Sequence, residues 1–199
     1  MSTNARRYAA VAGLAAVALM AVGCSNGDSV EASPQVALVV TSAAPAPQPV
    51  EVKVLGERDV EVTLTGPIAV KYSSATADQK TALGKPLTGD HNAGTRDSGV
   101  VFQQFQNGAI VAKNGDAGTP AYIVGGKIRE AWNVQRDPTG VPAASGSNGS
   151  AGPLGVPTSD ETTDGDQLVS TFEHGKIAFN AKTGQVEVTV NGKVVPSGL

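Results

Sequence analysis

The side chains able to do chemistry in this chain are few and scattered. It has one cysteine, Cys24, and two histidines, His91 and His174. Hydrolysis through a covalent intermediate needs a nucleophile, a base and an orienting group brought together. No Gly-x-Ser-x-Gly elbow and no Ser-x-x-Lys appears, so a catalytic pair would have to use His91 with Asp90, or His174 with Glu173. The expectation is that the chain has no catalytic residues and is not an enzyme. The histidines have no Cys or His-x-x-His companions, so no zinc ligand set is expected, and no metal or cofactor. Asp160-Glu161 is the one carboxylate pair placed to bind sugar hydroxyls or calcium, with capping and solubility as the alternative. Trp132, the only tryptophan, would either stack on a sugar ring or, with Ile128 four residues earlier on one helical face, belong to the core. Gly125-Gly126-Lys127 lacks the lead and the Ser or Thr of a phosphate loop. Asn148-Gly149-Ser150 is formally a glycosylation sequon.

Cys24 is informative because of what precedes it. Arg6 and Arg7 form a positive segment, Tyr8 to Met20 an apolar one too short to span a bilayer, and small residues lead to the thiol. This resembles a bacterial lipobox, with Ala21 where Leu is usual. The resemblance implies a diacylglycerol on the thiol and cleavage between Gly23 and Cys24, so that Cys24 becomes an acylated first residue. The alternative is a plain secretory peptide cut near Gly23, and the export route stays open. Each buried methylene is worth about 0.8 kcal/mol, so two or three acyl chains hold a protein on a bilayer. The expected location is the extracytoplasmic face of the plasma membrane, with the lipid bilayer as partner through Cys24. Loss of Arg6 and Arg7 would take the formal charge from -3 to -5, and with no basic block nucleic acid is not an expected partner.

These residues need elements to carry them. The chain divides into a signal segment, 1–23, an extended linker, 24–49, rich in Ser, Ala and Pro, and a folded part, 50–199. Val36 to Val40 is the only stretch of the linker that could pair as a strand. Val50, Val52 and Val54, then Val60, Val62 and Leu64, alternate with polar residues and predict two strands joined by a turn at Gly56–Asp59. Gly66-Pro67 predicts a helix start, with Ile68 and Tyr72 on one face. Thr76 and Gln79 have capping-box spacing ahead of a turn ending at Gly84.

The second half repeats. Leu83-Gly84-Lys85-Pro86 returns as Leu154-Gly155-Val156-Pro157, Phe105-x-x-Gly108-x-Ile110 as Phe172-x-x-Gly175-x-Ile177, and Gly66 to Tyr72 as Gly126-x-Ile128 to Trp132. Gly192-Lys193-Val194 reads as a third start of the Gly-x-Ile unit. Asn107-Gly108 and His174-Gly175 predict tight hairpins through positive φ. Leucine docks, glycine frees the backbone and proline stops the chain in each tetrad. The predicted fold class is α+β, short hairpins and short helices in repeated units packed into one small domain. The Gly- and Ser-rich stretch from Ala143 to Pro153 would spread the last two units apart.

These motifs, in this order over roughly Thr65 to Val194, with Thr158-Ser159-Asp160-Glu161 after the second tetrad, resemble the LGFP repeat of actinobacterial envelope proteins. Lys85 and Val156 stand at the aromatic position of the tetrad, Tyr72 stands for Trp, and Thr88-Gly89-Asp90-His91 matches the Thr-Ser-Asp-Glu segment loosely. The resemblance implies a non-catalytic module that contacts cell-wall polysaccharide, arabinogalactan or peptidoglycan, and helps envelope integrity. An alternative is a scaffold that recruits an envelope enzyme, and a further one a degenerate hydrolase.

Overall fold

The computed structural model describes residues 50–147 and 150–199. The lipobox with Gly23 and Cys24, the linker, the strand considered at Val36 to Val40 and Asn148-Gly149 of the sequon lie outside the described residues. The described residues belong to one compact unit reaching Leu199.

The architecture is mixed, with short helices between small antiparallel sheets, as the patterning predicts. Strands β1 (Glu51–Leu55) and β2 (Glu61–Thr65) form a hairpin in which Val52 faces Leu64. Gly66, at φ 55, turns the chain into helix α1 (Gly66–Ser74), with Pro67 in its first turn where no amide hydrogen is needed. Helix α2 (Ala77–Leu83) starts with a complete capping box between Thr76 and Gln79. A four-stranded sheet follows: β3 (Ala93–Thr95), β4 (Val101–Gln104), β5 (Gly108–Ala112) and β6 (Ala121–Gly125), in that spatial order.

Helix α3 (Gly126–Trp132) opens the second unit, with the short pair β7 (Val134–Arg136) and β8 (Pro142–Ser147) after it. A second sheet runs β9 (Thr162–Asp164), β10 (Gln167–Phe172), β11 (Gly175–Asn180), β12 (Val186–Val190) and β13 (Lys193–Val195). Two expectations are corrected here. Part of the Gly- and Ser-rich stretch is strand, because Val134 pairs with Ser147. Gly192 starts no helix: Asn191 and Gly192 both take positive φ and fold β13 back on β12, placing Val188 opposite Val195.

Repetition in sequence becomes repetition in packing. One core gathers Leu64, Ile68, Leu83, Phe105 and Ile110, and the other Ile128, Trp132, Leu154, Phe172 and Ile177. Strand β5 serves both, since its pleat sends Ile110 and Ala112 into the first core and Ala109 and Val111 into the second. The corresponding outward face of the second sheet carries Lys176 in place of Ala109, and Thr189 in place of Val124.

Candidate functional site

The tetrads set the geometry between units. In each, leucine is 2% exposed and glycine sits at φ 75 (Gly84) or φ 74 (Gly155). The proline then bridges to the phenylalanine of the hairpin, Pro86 to Phe105 and Pro157 to Phe172. The backbone amides of Asn107 and His174 donate to the carbonyls of Leu83 (3.0 Å) and Leu154 (2.9 Å). Gly108 and Gly175 do not take positive φ, contrary to expectation. Space excludes a side chain there instead: a Cβ would meet Leu83 Cδ2 at 2.8 Å at position 108, and would run into the backbone oxygen of Thr189 at position 175.

The aromatic residues are core residues. Tyr72 stacks on Phe105 with centroids 5.7 Å apart, and Trp132 on Phe172 at 5.8 Å. Trp132 is 5% exposed and its indole N–H donates to Gly155 O at 2.9 Å, so its polar edge is satisfied inside.

Asp160 and Glu161 part company. One oxygen of Asp160 accepts the Ile123 amide at 2.8 Å and the other pairs with Lys71 Nζ, so this carboxylate ties the loop after the second tetrad to α1 and β6 of the first unit. Glu161 has no hydrogen bond or ion pair among the described residues. Its residue surface is largely open, yet the walls around the carboxyl group remove enough water to push its pKa up.

Those walls enclose a groove of about 410 Å³ between the two units. Leu83, Leu168 and Phe179 give it apolar surface, and Asn107, Lys127 and Glu161 polar groups. Asn107 is fixed by its side-chain amide donating to Ala82 O at 3.1 Å. Leu168 and Phe179 face each other across β10 and β11, on the side of Ile177. The sequence reading missed Phe179 and Leu168; Phe179 follows Ile177 at the strand period of two and could have been found from it.

The histidines do not join this groove. Both are exposed, and each is held in its turn by backbone bonds: His91 O accepts from Gln104 Nε2, and His174 O from the Asn191 amide. Glu173, beside His174, pairs with Lys113 Nζ at 2.7 Å, which holds its carboxyl below the usual range. Among the described residues no cluster of three His, Cys, Asp or Glu is placed to hold a metal ion, and no helix is long and apolar enough to cross a membrane.

Arg136 was not singled out from the sequence. Its guanidinium donates to the carbonyls of Gly140, Pro196, Ala131 and Ser197, at 2.9, 2.7, 3.3 and 2.6 Å. It clamps the last residues to the end of α3. Burial lowers its pKa, and the carbonyls stand in for the water it has lost.

No curated protein matches the chain. The family match begins at the first tetrad, so β1, β2 and α1 with Tyr72 lie before it, and it includes both Leu-Gly-x-Pro segments and both hairpins. Residues 83–140, which run through α3 and β7, and residues 154–194 match the model of the LGFP repeat, so the chain carries LGFP repeats over these two segments.

Proposed function

We propose that the chain is a non-catalytic surface lipoprotein, held by acylated Cys24 on the extracytoplasmic face of the plasma membrane, whose repeat unit contacts cell-wall polysaccharide. The observation that carries this reading is the groove between the two repeats, where Leu168 and Phe179 offer an apolar face and Asn107, Lys127 and Glu161 a polar margin. A sugar ring has one face of C–H groups and a rim of hydroxyls, and sites for such ligands combine apolar walls with a few placed polar groups. Weak contact suffices when the protein is tethered next to a polymer that repeats the ligand. The groove leaves Glu161 partly desolvated and without a partner, a group that hydroxyl donors would satisfy. The test is retention of residues 45–199 on insoluble wall polysaccharide, with Phe179→Ala expected to abolish it.

A second reading, recruitment of an envelope enzyme, is favoured by a different feature. An apolar groove of about 590 Å³ runs beside α1, between Val50, Pro67 and Val70 on one side and Ala117 and Pro120 on the other. Val70 is 51% exposed on it. A pull-down from solubilised envelope that returns one dominant protein, lost on Val70→Asp, supports that reading over the first.

A further inference from the structure

Two arginines converge at the edge of the second core, on the face of the first sheet that carries Ala109 and Val111, and neither meets a carboxylate among the described residues. Phe102 and Gln104 lie two residues apart on β4 and so on one face, about 7 Å from each other along the strand. Arg96, from the β3–β4 turn, lays its guanidinium over the Phe102 ring, Cζ to centroid 5.1 Å. Arg129, from α3, donates from Nη2 to Gln104 Oε1 at 2.8 Å. The two guanidinium groups are thus anchored on neighbouring positions. Both line one cleft, together with Trp132 and Asn133. Neither is within 4.0 Å of a carboxylate oxygen among the described residues, although every lysine from Lys53 to Lys127 except Lys80 has such a partner.

Burial lowers the pKa of Arg129, the mark of a cation that has lost water and gained no counter-ion. Gln104 supplies a neutral acceptor, which balances no charge. A positive pair of this kind stands out in a chain of net charge -3. Guanidinium groups match the two-oxygen edge of a carboxylate or phosphate in fork geometry. The cleft measures about 90 Å³, far below the roughly 300–1,000 Å³ of sites that enclose a whole small molecule. It has room for an ionic group and leaves the rest of the bearer outside.

We propose that this cleft binds a single oxyanion group, carboxylate or phosphate, between Arg96 and Arg129. The site is separate from the groove at Phe179, and its occupancy is independent of whether that groove binds sugar. Trp132 lines the cleft and is the only tryptophan, so its emission reports the site directly.

The experiment titrates residues 45–199 with inorganic phosphate and with acetate, each against sodium chloride at equal ionic strength, following Trp132 emission and the thermal midpoint. N-acetylmuramic acid against N-acetylglucosamine asks whether a sugar-borne carboxylate is accepted. The expected result is a saturable emission change, with a rise in midpoint, for at least one of the two oxyanions and none for chloride. Arg96→Gln and Arg129→Gln should each weaken it tenfold or more, and Arg129→Lys, which keeps the charge but not the fork, should weaken it less. Equal responses to chloride, no response in emission or midpoint to either oxyanion, or unchanged titrations in folded Gln variants would overturn the proposal.

Discussion

Trp132 lies on Phe172 with ring centroids 5.8 Å apart, and 60 residues earlier Tyr72 lies on Phe105 at 5.7 Å. In each unit the ring of a short helix covers the hairpin phenylalanine, and the tetrad leucine closes the same cluster. Removing a buried aromatic side chain costs about 3–5 kcal/mol. Trp132→Ala should therefore lower stability by about that amount, and Phe105→Ala likewise, as measured by urea unfolding followed by circular dichroism. A loss below about 1 kcal/mol for Trp132→Ala would mean that the helix does not seal the second core.

Gly84 carries the second prediction. Its φ of 75 and ψ of -163 lie in a region that only glycine occupies freely. A Cβ there would also press on Gln106 Oε1 at 2.7 Å, and at Gly155 on Glu173 Cβ at 2.8 Å. Gly84→Ala and Gly155→Ala should each cost about 1–3 kcal/mol. Gly94→Ala, which meets nothing within 4 Å, serves as the comparison for dihedral strain without crowding.

The ion pair of Glu173 with Lys113 gives the unit a response to acid. The folded pKa of Glu173 is depressed, first by the hydrogen bond from Lys113, so its contribution is present above the unfolded value, about 4.3, and lost as pH falls through the folded one. Glu173→Gln should therefore lower stability slightly above that pH and flatten the acid limb, so that the two curves meet at low pH, and the difference is small because Lys113 is largely exposed. Glu161 runs the other way. Its raised folded pKa means that stability falls as pH rises from the unfolded value through the folded one, so Glu161→Gln should be neutral or slightly stabilising at pH 7.

Arg136 ties the C-terminal residues to α3 through Pro196 O and Ser197 O. Hydrogen bonds to a charged group contribute about 1.5–3 kcal/mol each. Arg136→Met should free the last residues, read as faster trimming by carboxypeptidase and faster amide exchange at Val195. Arg136→Lys should behave like Arg136→Met, since one ammonium group cannot reach four carbonyls in a planar fork.

What the sequence made legible was local. Val52 and Leu64, alternating in their strands, predicted the first hairpin, and Thr76 with Gln79 the start of α2, because both signals act within a few residues. The repeat of leucine, phenylalanine and isoleucine identified both cores. The reason for Gly108 and Gly175 was not legible, since the backbone oxygens of Val124 and Thr189 that crowd them come from another strand. Gly192 was misread because Gly-x-Val in a β-turn and Gly-x-Ile at a helix start share the same short pattern. Asp160 and Glu161 looked alike in sequence, and only the distant Lys71 and the Ile123 amide separate a structural carboxylate from one that faces the groove.

Contact between the groove and wall polysaccharide is tested by cosedimentation of residues 45–199 with insoluble wall polysaccharide. The folded parent should be retained at low salt, with retention lost in Phe179→Ala and reduced in Glu161→Ala, both variants being folded by circular dichroism. No retention of the folded parent, or equal retention of Phe179→Ala, would contradict it.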